Sequence, residues 1–173
     1  DSMQIYREIS ILTSKPNLYD TRTVKHHLYG FNSVKKNFST GHWLKIVIDK
    51  IEEQWKNNKT PIIVGGTGLY FKALIDGLVK IPEIPNTFRT KIRTLHQEIG
   101  QKNFYNRLIK LDPLSKKLVS MHDTQRTIRA YEVKKFTDKS LFDFIKKTKS
   151  NFDKKIFIKL FINTPKNLLH KNI

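Results

Sequence analysis

The sequence predicts an α/β protein, a parallel sheet flanked by helices and interrupted by an all-helical insertion, and three observations lead there. Ile62, Ile63 and Val64 are consecutive β-branched residues that run straight into Gly65-Gly66-Thr67-Gly68 and then a helical pattern, the order of buried strand, glycine turn and helix. An amphipathic helical pattern comes just before them. A second apolar run, Ile156-Phe-Ile-Lys-Leu-Phe-Ile162, appears only after residues 86–149, which hold no strand pattern.

Taken in order, Asp1-Ser-Met-Gln-Ile-Tyr6 opens the chain. Asp1 is expected at the C-terminal tip of a preceding strand, on the sheet edge that also carries Thr67; the plain alternative is a solvated terminal residue. Residues 7–38 read as irregular, with a turn at Thr13-Ser-Lys-Pro16. His26 and His27 are adjacent and point apart on any regular element, so they are not expected to share a metal. Ser39 reads as an N-cap, and Leu44, Val47, Ile51 and Trp55 set one face of a helix over 41–57. Asn57-Asn-Lys59 ends it, a central strand is predicted over 61–65, and a helix over 68–76.

Pro82 and Pro85 mark an exposed connection. Asn86 can cap, and Gly100 can end, a helix whose apolar face is Phe88, Ile92, Leu95 and Ile99. Further helices are predicted over 101–110, 114–120, 123–136 and 140–149, with Asp123 and Ser140 as caps. A second buried strand follows over 156–162, and Thr164-Pro165 opens a last helix. The expected domains are a partial α/β core over 1–81, a helical insertion over 82–150 that holds much of the positive charge, and a truncated return to the core over 151–173.

Composition narrows the function classes. The 173 residues suffice for a folded core plus an insertion, and 38% hydrophobic content with clear periodicities argues against disorder. No apolar run is long enough to span a membrane and no signal-peptide pattern opens the chain, so no membrane partner is expected. The absence of cysteine removes disulfides and thiolate metal sites, and the expected location is the cytoplasm. A formal charge of +18 suggests an anionic partner, although 26 Lys against 7 Arg in a chain rich in Ile and Asn is also the bias that codon composition alone produces. Residues 1–80 carry +5 and residues 81–173 carry +13, so a polyanion such as RNA is drawn mainly to the second half.

Two stretches can carry chemistry. Gly65, Gly66 and Gly68 bare the backbone so that an anionic group can reach N–H donors at a helix start, although a plain strand-to-helix turn has the same glycines. In Asp123-Thr-Gln-Arg-Thr-Ile-Arg129, Arg126 and Arg129 are helical neighbours with Gln125 beside them, suited to phosphates and base edges or else to a solvated basic face. Arg89 sits in the first turn of its helix, where a cation opposes the dipole unless an acid or anion is near.

Asp1-Ser-Met-Gln-Ile-Tyr6, Thr13-x-Lys-Pro16, His26-His-Leu28, Pro61-Ile-Ile-Val-Gly-Gly-Thr-Gly-Leu-Tyr70, Arg89, Asp112-Pro113 and Asp123-x-Gln-Arg-x-x-Arg-Ala-x-Glu-Val133 together closely resemble, in order and spacing, the bacterial tRNA dimethylallyltransferase family. The resemblance covers residues 1 to about 170. It implies a P-loop NTPase-like fold, Mg²⁺ as cofactor, and transfer of a dimethylallyl group from dimethylallyl diphosphate to N6 of adenosine 37 in the tRNA anticodon stem-loop. By the same resemblance Asp1 is the general base, Thr67 acts with it near the reacting groups, and Gly65, Gly66 and Gly68 are candidates to hold the diphosphate. Asp1, Ser2, Met3 and Gln4, together with Gln125, Arg126, Thr127, Ile128 and Arg129, form tRNA-contacting segments, with Thr67 and Arg89 as further contacts. The family's phosphate-binding Gly-Pro-Thr-x-Ser-Gly-Lys-Ser/Thr loop should precede Asp1, and a C-terminal tRNA-contacting segment should follow residue 173. The expectation is therefore a fragment, inactive alone, of a monomeric enzyme. Where the family often has Gly before Thr13, this chain has Leu12.

The residues suit that chemistry. Allylic diphosphates react as charge builds on the departing diphosphate, which calls for Mg²⁺ and N–H or cationic donors. The N6 amine is a weak nucleophile whose proton needs an acceptor, and a carboxylate base contributes about 10²–10⁴-fold. Adenosine 37 lies in a single-stranded loop, so drawing it into a pocket is less costly than extruding a paired base. Three rivals share part of the pattern. An adenylate isopentenyltransferase acting on a free nucleotide would not need the basic insertion, nor would a P-loop small-molecule kinase. A non-catalytic RNA-binding module leaves the pairing of Asp1 with Gly-Gly-Thr-Gly without a purpose.

Overall fold

The computed structural model describes residues 1–171. Two compact units divide it, one joining Asp1–Asp76 to the segment that starts at Ser150, the other made of Gly77–Lys149.

In the first unit, Asn17 and Asp20 form a reciprocal capping box on a short helix, α1 (Leu18–Thr23), inside the region expected to be irregular. The longer α2 (Thr40–Lys56) is capped by Ser39, whose hydroxyl accepts from the His42 N–H at 3.2 Å. It buries Trp43, Leu44, Val47, Ile51 and Gln54, whereas Trp55, assigned to the apolar face, is 41% exposed and meets Phe152 edge-on. Against α2 packs α3 (Gly68–Asp76) through buried Ala73 and Leu74, and Trp43 stacks on Tyr70 with ring centroids 4.3 Å apart.

The expected parallel sheet does not form. Among the described residues the only β pairing is an isolated parallel bridge between Tyr6 and Asn32, flanked by bonds from Arg7 N–H to Asn32 C=O and from Asn32 N–H to Ile5 C=O. Residues 61–65 and 156–162 join no ladder, so both predicted strands, the central one included, are corrected to non-strand segments, and with them the P-loop NTPase-like α/β class. Ile62 is 83% exposed, and Ile158, Leu160, Phe161 and Ile162 are each nearly 90% exposed. The physical reason is that a β-branched apolar run records fitness for a half-buried pleated surface, while a strand exists only when a neighbour supplies the ladder. The architecture is instead helical, with α7 (Lys166–Lys171) following Pro165.

In the second unit, Asn86 is the first helical residue and not the cap. The helix α4 (Asn86–Leu111) breaks at Gly100, whose φ of 73° lies in the left-handed region that glycine enters without strain. A 3-10 turn, Pro113–Lys117, takes the place of the helix predicted over 114–120. Asp123 caps α5 (Thr124–Thr137), its carboxylate accepting from the Arg126 N–H at 3.0 Å. Ser140 and Asp143 form a capping box on α6 (Leu141–Lys146), shorter than the predicted 140–149. The core joins Ile92, Phe104 and Leu108 of α4 to Ile128, Ala130 and Tyr131 of α5. Buried Asp112 accepts hydrogen bonds from the hydroxyls of Ser115 (2.7 Å) and Ser140 (2.8 Å), fixing the ends of α4 and α6 to the turn between them.

Candidate functional site

Two clusters hold the residues singled out in the sequence, one in each unit. In the first, the Asp1 turn lies against the glycine turn. The Asp1 nitrogen donates to the Val64 carbonyl at 3.1 Å, Asp1 Oδ2 accepts from the Gly66 N–H at 3.3 Å, and Asp1 Oδ1 accepts from the Met3 N–H at 2.9 Å. Ser2 and Thr67 join hydroxyl to hydroxyl at 2.6 Å. A Cβ on Gly65 would come within 3.1 Å of Asp1 Cα, so the absence of a side chain there is what lets the Asp1 backbone approach. A Cβ on Gly66 would stand at an ordinary 3.9 Å from Asp1 Oδ2, and one on Gly68 would meet nothing within 4 Å. A small pocket between Asp1, Gly65 and Thr67 is closed on its apolar side by Trp43 and Tyr70. Burial, then the neighbouring Tyr6, raises the Tyr70 phenol above its ordinary value.

Gln4 is spent locally: its amide donates to the carbonyls of Thr13 (3.0 Å) and Ser14 (3.0 Å), and Met3 is exposed. His27 is held below the usual imidazole range by burial and then by Lys50, which keeps the ring neutral. Among the described residues no group of three or more His, Asp or Glu converges on a point where a metal could sit.

In the second unit the predicted residues part company. Gln125 and Arg126 are exposed, and Arg126 pairs with the cap Asp123 at 3.1 Å. Thr127 is fully buried, donating to the Asp123 carbonyl at 2.7 Å and accepting from Gln101 at 3.2 Å, and Ile128 belongs to the hydrophobic core. Arg129 turns to Glu132, with 3.3 Å between Nη1 and Oε2. Arg89 reaches the same Oε2 from α4 at 3.5 Å, so the acid that a first-turn cation calls for is present. Arg93 approaches Glu132 Oε1 at 4.0 Å. Sequence reading places Glu132 and Tyr70 within motifs but gives them no role, and it passes over Arg93 and Trp43. The i,i+4 spacing of Arg89 and Arg93 and the i,i+3 spacing of Arg129 and Glu132 were the available signals.

The IPP transferase family model matches residues 4–173. A tRNA dimethylallyltransferase of Pelagibacter ubique (strain HTCC1062) is 52% identical over 173 residues, 100% of this chain and 55% of the relative. One from Rickettsia felis is 43% identical over 175 residues, covering 99% of this chain and 56% of its own length. A crystal structure of a eukaryotic dimethylallyltransferase acting on tRNA superposes with a TM-score of 0.73 at 25% identity, covering 88% of this chain and 38% of that one. The chain thus spans about half the length of the curated relatives it matches.

Proposed function

Since the chain belongs to the IPP transferase family, we propose that the protein transfers a dimethylallyl group from dimethylallyl diphosphate to N6 of adenosine 37 in tRNA, releasing diphosphate. The observation that carries this reading is 52% identity, across the whole of this chain, to a tRNA dimethylallyltransferase. The geometry around Asp1 supports it. Two backbone N–H groups hold the carboxylate, one on each oxygen, and leave lone pairs free for the N6 proton. As the bond from the allylic carbon to the diphosphate oxygen breaks, its electron pair leaves with the diphosphate. N6 bonds to that carbon and gives its proton to Asp1. The Ser2–Thr67 pair has one hydroxyl proton left over after its mutual bond, available to the departing oxygen. Gly65, Gly66 and Gly68 offer the diphosphate a backbone free of side chains at the start of α3.

Mg²⁺ would serve as the counter-ion of the diphosphate, which would itself supply oxygen ligands, since no group of three or more His, Asp or Glu among the described residues forms a cage for it. The basic helical insertion, proposed over 82–150, would meet the anticodon stem-loop through Gln125, Arg126, Arg129 and Arg89, with buried Thr127 and Ile128 setting the backbone from which they project. Asp1 to Gln4 would contact the RNA next to the reacting base, and the enzyme is proposed to act as a monomer in the cytoplasm. No helix among the described residues is long and apolar enough to cross a membrane.

The test offers full-length protein dimethylallyl diphosphate together with either an A37-bearing tRNA transcript or free AMP, and follows the product by mass spectrometry. Dimethylallyladenosine in the tRNA alone is the expected result. Transfer to AMP alone would move the assignment to a free-nucleotide enzyme.

A further inference from the structure

Glu132 is 1% exposed, and three arginines surround it. Arg89 and Arg93 come from one face of α4 ahead of the Gly100 break, and Arg129 comes from the turn of α5 just before Glu132 itself. Their side chains remain 38%, 54% and 38% exposed. We propose that Glu132 is a positioning residue that gathers Arg89, Arg93 and Arg129 into one phosphate-binding face for RNA, with Arg93 as its third contact. The inference rests on the reading that the helical unit meets tRNA.

Charge is the first argument. A buried carboxylate needs one guanidinium to be neutralised, and here three converge, leaving two positive charges in excess. Like charges so close repel one another, and an external anion relieves that repulsion. Donor arithmetic points the same way. Three guanidiniums offer roughly fifteen N–H donors against about four lone-pair sites on one carboxylate. The contacts made, at 3.3, 3.5 and 4.0 Å, lie at or beyond hydrogen-bond length. Glu132 Oε1 and Arg89 Nε are buried with no hydrogen-bond partner. The cluster therefore keeps hydrogen-bonding capacity that its own members do not use, and the outer parts of all three side chains stay within reach of solvent.

Glu132 is too deeply buried to meet RNA, so it can act only through the arginines. By tying α5 to α4 across the Ile92–Tyr131 core, it holds three long side chains near one point before any ligand arrives. That pre-ordering lowers the entropy lost on binding. Arginine's planar fork is also the side chain best matched to phosphate oxygens.

The experiment measures binding of an unmodified anticodon stem-loop RNA to full-length protein by fluorescence anisotropy over a range of salt, for wild type, Arg93→Ala, Arg93→Lys and Glu132→Gln. Arg93→Ala is expected to melt like wild type, to bind about tenfold more weakly and to lower the slope of log affinity against log salt by about one. Arg93→Lys should recover the slope but only part of the affinity, because a point charge lacks the fork. Glu132→Gln should retain its helical circular dichroism and lose more of the slope than Arg93→Ala, a readout that a purely structural role would not move. If Glu132→Gln fails to fold, the two Arg93 variants decide, since that side chain lies at the surface. A wild-type protein that binds RNA with a steep salt slope, unchanged in both Arg93→Ala and Glu132→Gln, overturns the inference. A wild-type protein with no salt-dependent RNA binding overturns instead the tRNA reading beneath it.

Discussion

The Gly77–Lys149 unit and the unit that begins at Asp1 treat their apolar side chains in opposite ways. The former encloses Phe104, Leu108 and Val133 with no measurable exposure. The latter has a core around Ile5, Leu44 and Leu74, yet leaves Ile158, Leu160, Phe161 and Ile162 almost bare on a segment outside any helix. A helix satisfies its own backbone and asks its neighbours only to cover one face. A non-helical apolar segment needs neighbours for its backbone and its side chains together. Burial follows local hydrogen bonding: the Asp1 carboxylate is held by a few bonds to backbone N–H groups, whereas Glu132 is held within a packed core.

The hardest test of this contrast is Asp1→Asn, which keeps shape but removes charge and basicity. In full-length protein it should lower kcat by about 10²–10⁴-fold while both substrates still bind. A folded Asn variant with near-wild-type kcat would leave the N6 proton to water or to the departing diphosphate.

Next in size is a matched pair of one residue type. Phe104→Ala, at 0% exposure, should destabilise the helical unit by about 3–5 kcal/mol in urea unfolding. Phe161→Ala, at 89% exposure, should stay within about 0.5 kcal/mol of wild type. Equal losses would mean that the extended segment is packed in solution, and would erase the contrast.

A second matched pair sharpens the picture at the Asp1 pocket. Gly65→Ala places a methyl 3.1 Å from Asp1 Cα and 3.2 Å from its nitrogen, so the Asp1 backbone must give by a few tenths of an ångström, and kcat should drop by about tenfold as the carboxylate moves with it. Gly68→Ala meets no protein atom within 4 Å, so it should leave kcat near wild type and stabilise α3 by about 0.4–1 kcal/mol, its effect being confined to the KM for dimethylallyl diphosphate. Steady-state kinetics beside thermal melts separates the two.

The smallest expected effect concerns pH. Hydrogen bonds from Lys154 and then Lys72 hold the Asp76 carboxyl down to about 2 from an ordinary 3.8. A depressed carboxylate adds stability that is present above the unfolded value and lost as pH falls through the folded one. The tie between α3 and Lys154 should therefore open between about pH 4 and pH 2, read as the carboxyl carbon shift of Asp76 by NMR. A midpoint at the ordinary value would show that neither lysine is engaged.

The sequence by itself determined what is settled within a few residues. Ser39, Asp123 and Ser140 cap helices as their spacing predicts, and Gly100 breaks α4 where expected, because caps and helical bonds join groups at most four positions apart. Asn86 escaped that reading because Pro85 takes the cap position with no side-chain bond, and α1 because its six residues bury none and so show no apolar period. The order of the Asp-Ser-Met-Gln, Gly-Gly-Thr-Gly and Gln-Arg-x-x-Arg motifs likewise sufficed to place the chain in its family. Only the tertiary structure decided whether Ile62-Ile63-Val64 would find a ladder, that Asp1 and Gly65 come within van der Waals contact, and that Arg89 and Arg129 share one buried glutamate. Each of those outcomes depends on a partner far away along the chain, and no local periodicity encodes which distant groups will meet.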